Sequence, residues 1–139
     1  MDELDKIKIE LSRLVEKAYS KNEIPVAALL TKDEKIVSKA YNKRKRNGDP
    51  LGHAEIICIL KATKKQKYWR LNEYKLYVTL EPCEMCKRII EECGISEVHY
   101  FLSSKNIKKS CNTCYIQEKS DNIYFEEKMH TFFEKIRKE

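Results

Sequence analysis

His53-Ala54-Glu55 and, after 26 intervening residues, Pro82-Cys83-Glu84-Met85-Cys86 are the stretches from which the fold and chemistry of this chain can be inferred. One imidazole and two thiolates at this spacing predict a three-ligand zinc site made of His53, Cys83 and Cys86. A structural zinc has four protein ligands, whereas a catalytic zinc keeps one position open for water. The three ligands therefore predict a catalytic zinc, with one ion per chain.

Glu55 lies two residues after the predicted histidine ligand, where its carboxylate can move protons without binding the metal. Zinc lowers the pKa of a bound water from about 15.7 to roughly 7, so hydroxide exists at neutral pH. A carboxylate beside that water can act as general acid and general base. Glu55 is therefore the predicted catalytic residue.

A second C-x-x-C pair, Cys111 and Cys114, leaves two other interpretations open. With Cys83 and Cys86 it could form a zinc ribbon with four thiolate ligands, and the pair at 83 and 86 could instead be a redox pair of the thioredoxin type. Neither alternative explains His53 or its neighbouring glutamate. Cys111 and Cys114 are interpreted as free thiols, and a second metal site is the alternative.

Length and composition predict one domain spanning residues 1–139, large enough for a sizeable core. No apolar run approaches the roughly 18 residues of a membrane span, and the acidic N-terminus is unlike a signal peptide. We therefore expect no membrane association and a cytoplasmic location. Six cysteines without an export signal favour reduced thiols and metal ligation over disulfides.

The net charge of +6 raises the question of a nucleic-acid partner, with basic clusters at residues 43–46, 61–70 and 105–109. Lysines outnumber arginines 22 to 6, which is also the composition that an AT-rich genome produces, so charge alone does not decide. The first cluster lies in the loop just before the predicted site. Its members are therefore candidate RNA contacts: Lys43, Arg44, Lys45 and Arg46.

Hydrophobic periodicity predicts an α/β domain with helices on both faces of a sheet. Helices are predicted at 2–20, 53–64, 84–93 and 127–138, strands at 26–30, 36–41, 74–80, 98–102 and 122–125, a turn at 31–35, and loops at 42–52 and 103–120. In the helix at 53–64, the inward residues are predicted to be Ile56, Ile57, Leu60 and Ala62. The two helices that carry the metal ligands each follow a strand or its loop, so their N-termini are expected at one sheet edge.

Pro82 fits the start of a helix whose first turn carries both Cys83 and Cys86. A cysteine near a helix N-terminus is expected to have a lowered pKa, which suits thiolate ligation.

Four stretches around the metal motifs carry a family pattern: Glu23-Ile24-Pro25-Val26-Ala27-Ala28-Leu29, Tyr41-Asn42-Lys43-Arg44, Asp49-Pro50 ahead of the histidine, and residues 76–86. Together they resemble the bacterial tRNA-specific adenosine deaminases (TadA family). The similarity is continuous from about residue 4 to residue 101. The string Thr-Leu-Glu-Pro-Cys-x-Met-Cys is specific for this branch, whereas H-x-E and P-C-x-x-C are shared with cytidine, deoxycytidylate and guanine deaminases.

The resemblance implies a cytidine deaminase-like three-layer α/β/α sandwich around a mixed five-stranded sheet. It also implies a homodimer, one zinc per chain, and hydrolysis of adenosine to inosine at the wobble position of a tRNA anticodon. Asn42 matches the family asparagine that contacts the target nucleotide, and Ala54 is the other candidate substrate-binding residue. Two alternatives stay open: a deaminase of a free nucleoside, nucleotide or base, and a zinc-stabilised RNA-binding module that has lost catalysis.

Two departures from the family pattern fall near the predicted site. Gly52 stands where the family has alanine before the histidine. Residues 102–110 replace the glycine- and alanine-rich family loop that borders the flipped base. Any departure from the family is therefore expected in the choice of substrate rather than in the chemistry.

Overall fold

The computed structural model of the chain describes residues 2–104, 113–119 and 122–137, and the side chains of all of these except Arg46 and Asn47. The predictions for residues 105–110 and for Cys111 lie outside this range. The elements in chain order are α1 (Glu3–Ser20), β1 (Ala27–Lys32), β2 (Lys35–Tyr41), α2 (Arg44–Asn47), α3 (Ala54–Gln66), β3 (Tyr74–Leu80), α4 (Glu84–Glu92), β4 (Glu97–Leu102), β5 (Cys114–Gln117) and α5 (Ile123–Arg137).

The strands of the described ranges form one five-stranded sheet in the order β2-β1-β3-β4-β5. β1 is antiparallel to both β2 and β3, whereas β3, β4 and β5 run parallel to one another. The predicted mixed five-stranded sheet is therefore confirmed. Because β2, β3 and β4 run in the same direction, their carboxyl ends lie at one edge of the sheet.

Alternate residues of the central strands point into two separate cores. Ala28 and Leu30 pack with the apolar residues of α3 and α4 on one face. Ala27 and Leu29 pack with α1 and with Phe125 of α5 on the other face. This alternation is the two-residue period of a strand buried on both sides. The result is the predicted three-layer α/β/α arrangement, with the helices of the metal motifs together in one layer.

Helix α1 follows the sequence pattern closely. The Asp2 side chain accepts a hydrogen bond from the backbone N–H of Asp5 at 2.8 Å, which caps the first turn. Apolar residues at three- and four-residue steps form its buried face: Ile7, Leu11, Leu14, Val15 and Ala18. The helix is therefore held by its packing on the sheet as well as by its cap.

Two sequence predictions in the C-terminal region are wrong. Part of the predicted loop at 103–120 is β5, a parallel strand at the sheet edge that is too short to show a period. The predicted strand at 122–125 instead begins α5. The backbone carbonyl of Asn122 accepts the N–H of Glu126 at 3.1 Å, and the Asn122 amide donates to the carbonyls of Phe101 and Glu118. The first helical bond to the Asn122 carbonyl and the tertiary bond of its amide to Phe101 outweigh the β propensity of the Ile-Tyr-Phe run.

The predicted inward face of α3 is also partly wrong, because Leu60 is 60% exposed and Ile57 is only partly buried. Ile59 and Cys58 are buried in their place. This helix is apolar on all sides along residues 56–60, so periodicity alone does not identify the face that meets the sheet.

In the described part of the chain, no helix combines the length and the apolar character that a membrane crossing requires.

Candidate metal centre and active site

The predicted zinc ligands meet at the sheet edge where β2, β3 and β4 end. His53 is the residue just before α3, and Cys83 is the residue just before α4; both have extended backbone conformations. Cys86 lies in the first turn of α4 and is fully buried. Each ligand is therefore positioned by the start of a helix that packs on the same face of the sheet.

The donor atoms are at the separations that a tetrahedral zinc requires. His53 Nδ1 lies 3.4 Å from Cys86 Sγ and 3.8 Å from Cys83 Sγ. Zinc bonds of about 2.3 Å to sulfur and about 2.0 Å to nitrogen give a sulfur-to-nitrogen edge of roughly 3.5 Å in a tetrahedron. Within the described ranges, His53, Cys83 and Cys86 are the group of His, Cys, Asp and Glu side chains close enough to hold a metal ion, with all ligand atoms within 4.8 Å of one another. The residues present fit zinc.

His53 is held in its neutral form. Burial lowers the pKa of its imidazole, and the positive charge of Arg44 lowers it further. Arg44 Nη1 lies 3.4 Å from His53 Nε2, on the side of the ring away from the two sulfurs. Neutral imidazole is the form that ligates a metal, so both effects favour the form of His53 that can bind zinc.

Glu55 is buried beside the ligands, with 4% of its surface exposed. Burial raises its pKa from the ordinary value of 4.5 to about 7, although its own backbone N–H and Cys86 act in the opposite direction. A carboxyl with a pKa near the working pH can both accept and donate a proton. This is the property that the predicted catalytic role requires.

The expectation of a lowered cysteine pKa is wrong for Cys86. Burial raises the pKa of this thiol, and the nearby Glu55 and Cys83 raise it further. Desolvation therefore outweighs the helix N-terminus in the metal-free protein. A metal that binds here must displace the thiol proton, so metal affinity is expected to rise with pH.

Asn42 directly follows β2, and Ala54 begins α3 next to His53. Asn42 is buried, its backbone N–H donates to the carbonyl of Val26 at 3.0 Å, and its Oδ1 accepts the N–H of Arg44 at 2.9 Å. Ala54 is fully buried as the first residue of α3. Asn42 therefore has a structural role in the turn that leads to Arg44. Substrate contacts by Asn42 and Ala54 stay predictions.

The basic cluster at 43–46 begins the short helix α2, which interrupts the predicted loop at 42–52. Lys43 Nζ lies 4.8 Å from the centre of the Tyr41 ring, and Lys45 is exposed. A Cβ at Gly52 would lie 2.7 Å from the backbone Cα and N of Arg44. The glycine in place of the family alanine thus lets the basic segment approach the residue that precedes His53.

Sequence reasoning missed an ion pair next to the cysteine ligands. Lys87 Nζ lies 3.0 Å from Glu81 Oε2, and the two side chains are 5% and 6% exposed, respectively. Glu81 Oε1 also accepts hydrogen bonds from Ser103 Oγ and the Ser104 N–H. This pair joins the end of β3 and α4 to the start of the segment that replaces the family loop. A six-residue separation gives no periodic signal, so no local pattern identifies it.

Cys114 lies at the other end of the parallel strands from Cys83. It begins β5 and pairs with Glu97 at the start of β4. Cys83 follows the opposite end of β3, where Leu80 pairs with Leu102 of β4. Since Cys114 lies at the amino ends of the parallel strands and Cys83 at their carboxyl ends, the described residues do not support the four-thiolate ribbon.

Together, the fold and the site place this protein in the class of zinc-dependent nucleobase deaminases. Residues 1–102 match the family described as the cytidine and deoxycytidylate deaminase zinc-binding region. The chain is 36% identical over 142 residues to the tRNA-specific adenosine deaminase of Rickettsia bellii (strain RML369-C), and the alignment covers 92% of this chain and 98% of that relative.

A second curated relative and a solved structure agree with this match. The tRNA-specific adenosine deaminase of Aquifex aeolicus (strain VF5) is 41% identical over 86 residues, which cover 62% of this chain and 57% of that relative. A structure from a study of A-to-I editing by tRNA:A34 deaminases superposes with a TM-score of 0.71 at 26% identity, covering 79% of this chain and 95% of that chain. The chain belongs to the family of tRNA-specific adenosine deaminases.

Proposed function

We propose that this protein hydrolyses the wobble adenosine of a tRNA anticodon to inosine. The observation that carries the proposal is the buried Glu55 beside the three donor atoms of His53, Cys83 and Cys86. The relative aligned along 98% of its length is a tRNA-specific adenosine deaminase. Together they support deamination as the chemistry and an adenosine in tRNA as the substrate.

In the proposed reaction, His53, Cys83 and Cys86 hold one zinc per chain. A bound zinc would lower the pKa of a water molecule so that it is a nucleophile at neutral pH. Glu55 accepts a proton from the water that attacks C6 of adenine and delivers it to N1. Glu55 then transfers the second proton to the amino group, which leaves as ammonia while the C6 carbonyl of inosine forms.

The RNA is proposed to approach along the basic segment that leads into α3. An anticodon loop presents an unstacked base, which costs less to flip into a pocket than a base in a duplex. Lys43, Arg44 and Lys45 would contact the flanking phosphates, as would Arg46, whose side chain lies outside the described residues. Asn42 and Ala54 would contact the target nucleotide. We further propose a homodimer acting in the cytoplasm, where its tRNA substrate is found.

Mass analysis of inosine tests this function. Purified zinc-loaded protein should form inosine at the wobble position of a tRNA or a synthetic anticodon hairpin, with weak or no turnover of free adenosine, cytidine, deoxycytidylate or guanine. Neutralising residues 43–46 together should weaken RNA binding and flatten its salt dependence without loss of zinc. Efficient turnover of a free substrate, with no inosine in RNA, would establish the alternative deaminase instead.

Metal analysis tests the ligand set. Cys83→Ala and Cys86→Ala should each lower both the zinc content and the thermal stability, because metal binding is coupled to folding free energy. Cys111→Ser/Cys114→Ser is the matched control and should keep one zinc per chain. Loss of zinc from this control, with retention by Cys83→Ala, would contradict the assignment.

A further inference from the structure

A basic groove lies between the edge strand β2 and the C-terminal half of helix α3, whereas the candidate active site lies at the N-terminal end of that helix. It has a volume of about 740 Å³. Its lining consists of Ile36, Val37 and Ser38 of β2 together with four lysines and one glutamate: Lys39, Lys61, Lys64, Lys65 and Glu10. The last three lysine positions belong to the basic cluster at 61–70, which the proposed reaction does not use. We call this feature the β2–α3 groove.

Within the described ranges, one carboxylate, that of Glu10, offsets the charge of the four lysines of the β2–α3 groove. Lys61 Nζ donates to the backbone carbonyl of Lys39 at 2.9 Å, and Lys65 Nζ donates to that of Val37 at 2.6 Å. Both acceptors are neutral, so these bonds fix the ammonium groups without cancelling their charge. Glu10 pairs with Lys39 at 2.6 Å and cancels one charge. The groove therefore has an excess of fixed positive charge.

The β2–α3 groove is electrostatically continuous with the basic segment beside the site. Lys61 Nζ donates to the carbonyl of Lys39 on β2. Burial lowers the pKa of Lys61, and the positive charges of Lys43 and Lys39 lower it further. Glu55 and Lys65 are ten residues apart on α3, which corresponds to roughly 15 Å along the helix axis. The site and the groove therefore lie along the same helix, roughly 15 Å apart.

The chemistry of the groove selects a polyanion over a protein. An exposed edge strand can accept a strand from a partner. Here the outward carbonyls of Val37 and Lys39 are already bonded to lysines. A polyanion is attracted to these fixed ammonium groups, whereas a partner strand would have to displace them from the carbonyls. We propose that the β2–α3 groove binds backbone phosphates of the RNA stem that adjoins the target loop, an inference that rests on the proposed function.

The test compares two double variants that each remove two positive charges. Lys61→Gln/Lys65→Gln removes charge from the groove, while the glutamine amides can still donate to the strand carbonyls. Lys6→Gln/Lys17→Gln is the control, because both lysines are exposed on α1, which packs on the opposite face of the sheet. Both are made in a Glu55→Ala background to prevent turnover, and thermal unfolding checks their fold. Lys64→Gln repeats the test if the groove variant unfolds.

Binding is measured against salt with two probes: a synthetic RNA hairpin with an adenosine at the wobble position, and its loop sequence as a single strand. For the hairpin, the slope of log affinity against log salt should become shallower by about 1.5 in the groove variant, since each lost phosphate contact contributes about 0.7 to 0.9. The control should keep the original slope. Binding of the single strand should be the same in both variants.

Two different results would overturn the proposal. If the wild type forms inosine in the hairpin while both double variants keep the same salt slope, the groove proposal fails and the proposed function stands. If the groove variant loses affinity equally for the hairpin and the single strand, the lysines do not contact a stem. Absence of inosine with the wild-type protein would contradict the proposed function itself, a result distinct from both.

Discussion

The start of α3 and the end of β3 each bury one carboxylate next to the predicted zinc ligands, and the two carboxylates have different partners. Glu55 at the start of α3 is 4% exposed, and within the described ranges it forms no ion pair with a lysine, arginine or histidine. Glu81 at the end of β3 is 6% exposed and lies 3.0 Å from the ammonium of Lys87. The two carboxylates are therefore buried to a similar extent but differ in whether a cation lies beside them.

A buried carboxyl without a cation resists ionisation, so its pKa rises toward neutrality, where it can transfer protons. A buried carboxylate with a cation and two hydrogen-bond donors is instead a fixed structural link. Glu81 connects β3, α4 and the segment beginning at Ser103. The partner of each carboxylate, rather than its burial, separates the catalytic candidate from the structural one.

The largest expected effect is on catalysis at Glu55. Glu55→Gln should reduce single-turnover deamination by at least about 10²-fold to 10⁴-fold, because general acid and base catalysis is lost, while zinc remains bound. Rates from rapid-quench measurements and zinc content by mass spectrometry check this. Glu92→Gln, an exposed change on α4, is the control and should be near normal. Near-normal turnover by Glu55→Gln would show that Glu55 is not the catalytic carboxylate.

The second effect is on stability at Glu81. Lys87→Met should lower the free energy of unfolding by about 3 to 5 kcal/mol, because it leaves a buried carboxylate without its cation. Urea unfolding measures this change, and Glu81→Gln/Lys87→Met should recover much of the loss. Lys32→Ala is the control, since its pair with Glu73 spans 3.8 Å and is exposed; it should cost at most about 1 kcal/mol. Equal effects of the Lys87 and Lys32 changes would show that Glu81 is not held by its cation.

The third effect is the pH dependence of the metal-free protein. Folded Glu55 keeps its proton up to about pH 7, whereas the unfolded chain releases it near 4.5. The folded state binds more protons in this window, so the free energy of unfolding should fall as pH rises, by up to about 3 kcal/mol. Thermal unfolding of chelator-treated protein at several pH values measures it. In Glu55→Gln this part of the pH dependence should disappear, and its persistence would assign the effect to another group.

Much of the site was predictable because its signals are local. His53 and Glu55 lie two residues apart, and Cys83 and Cys86 lie three apart. Pro82 marks the start of the helix that carries the cysteines. The alternation of strands and helices was sufficient to predict that both helices begin at the same sheet edge. The chemistry of this class depends on few atoms. One short motif places its share of them at the start of α3, and the other does so at the start of α4.

The amino-acid sequence by itself determined the donor set, the catalytic candidate and the α/β class. Only the tertiary structure decided that Glu81 pairs with Lys87, that Lys61 and Lys65 reach the carbonyls of β2, and that residues 114–117 form a strand while Ile123 begins a helix. These features join residues from different elements. Their energy comes from burial and from pairing across space, and neither leaves a periodic pattern along the chain.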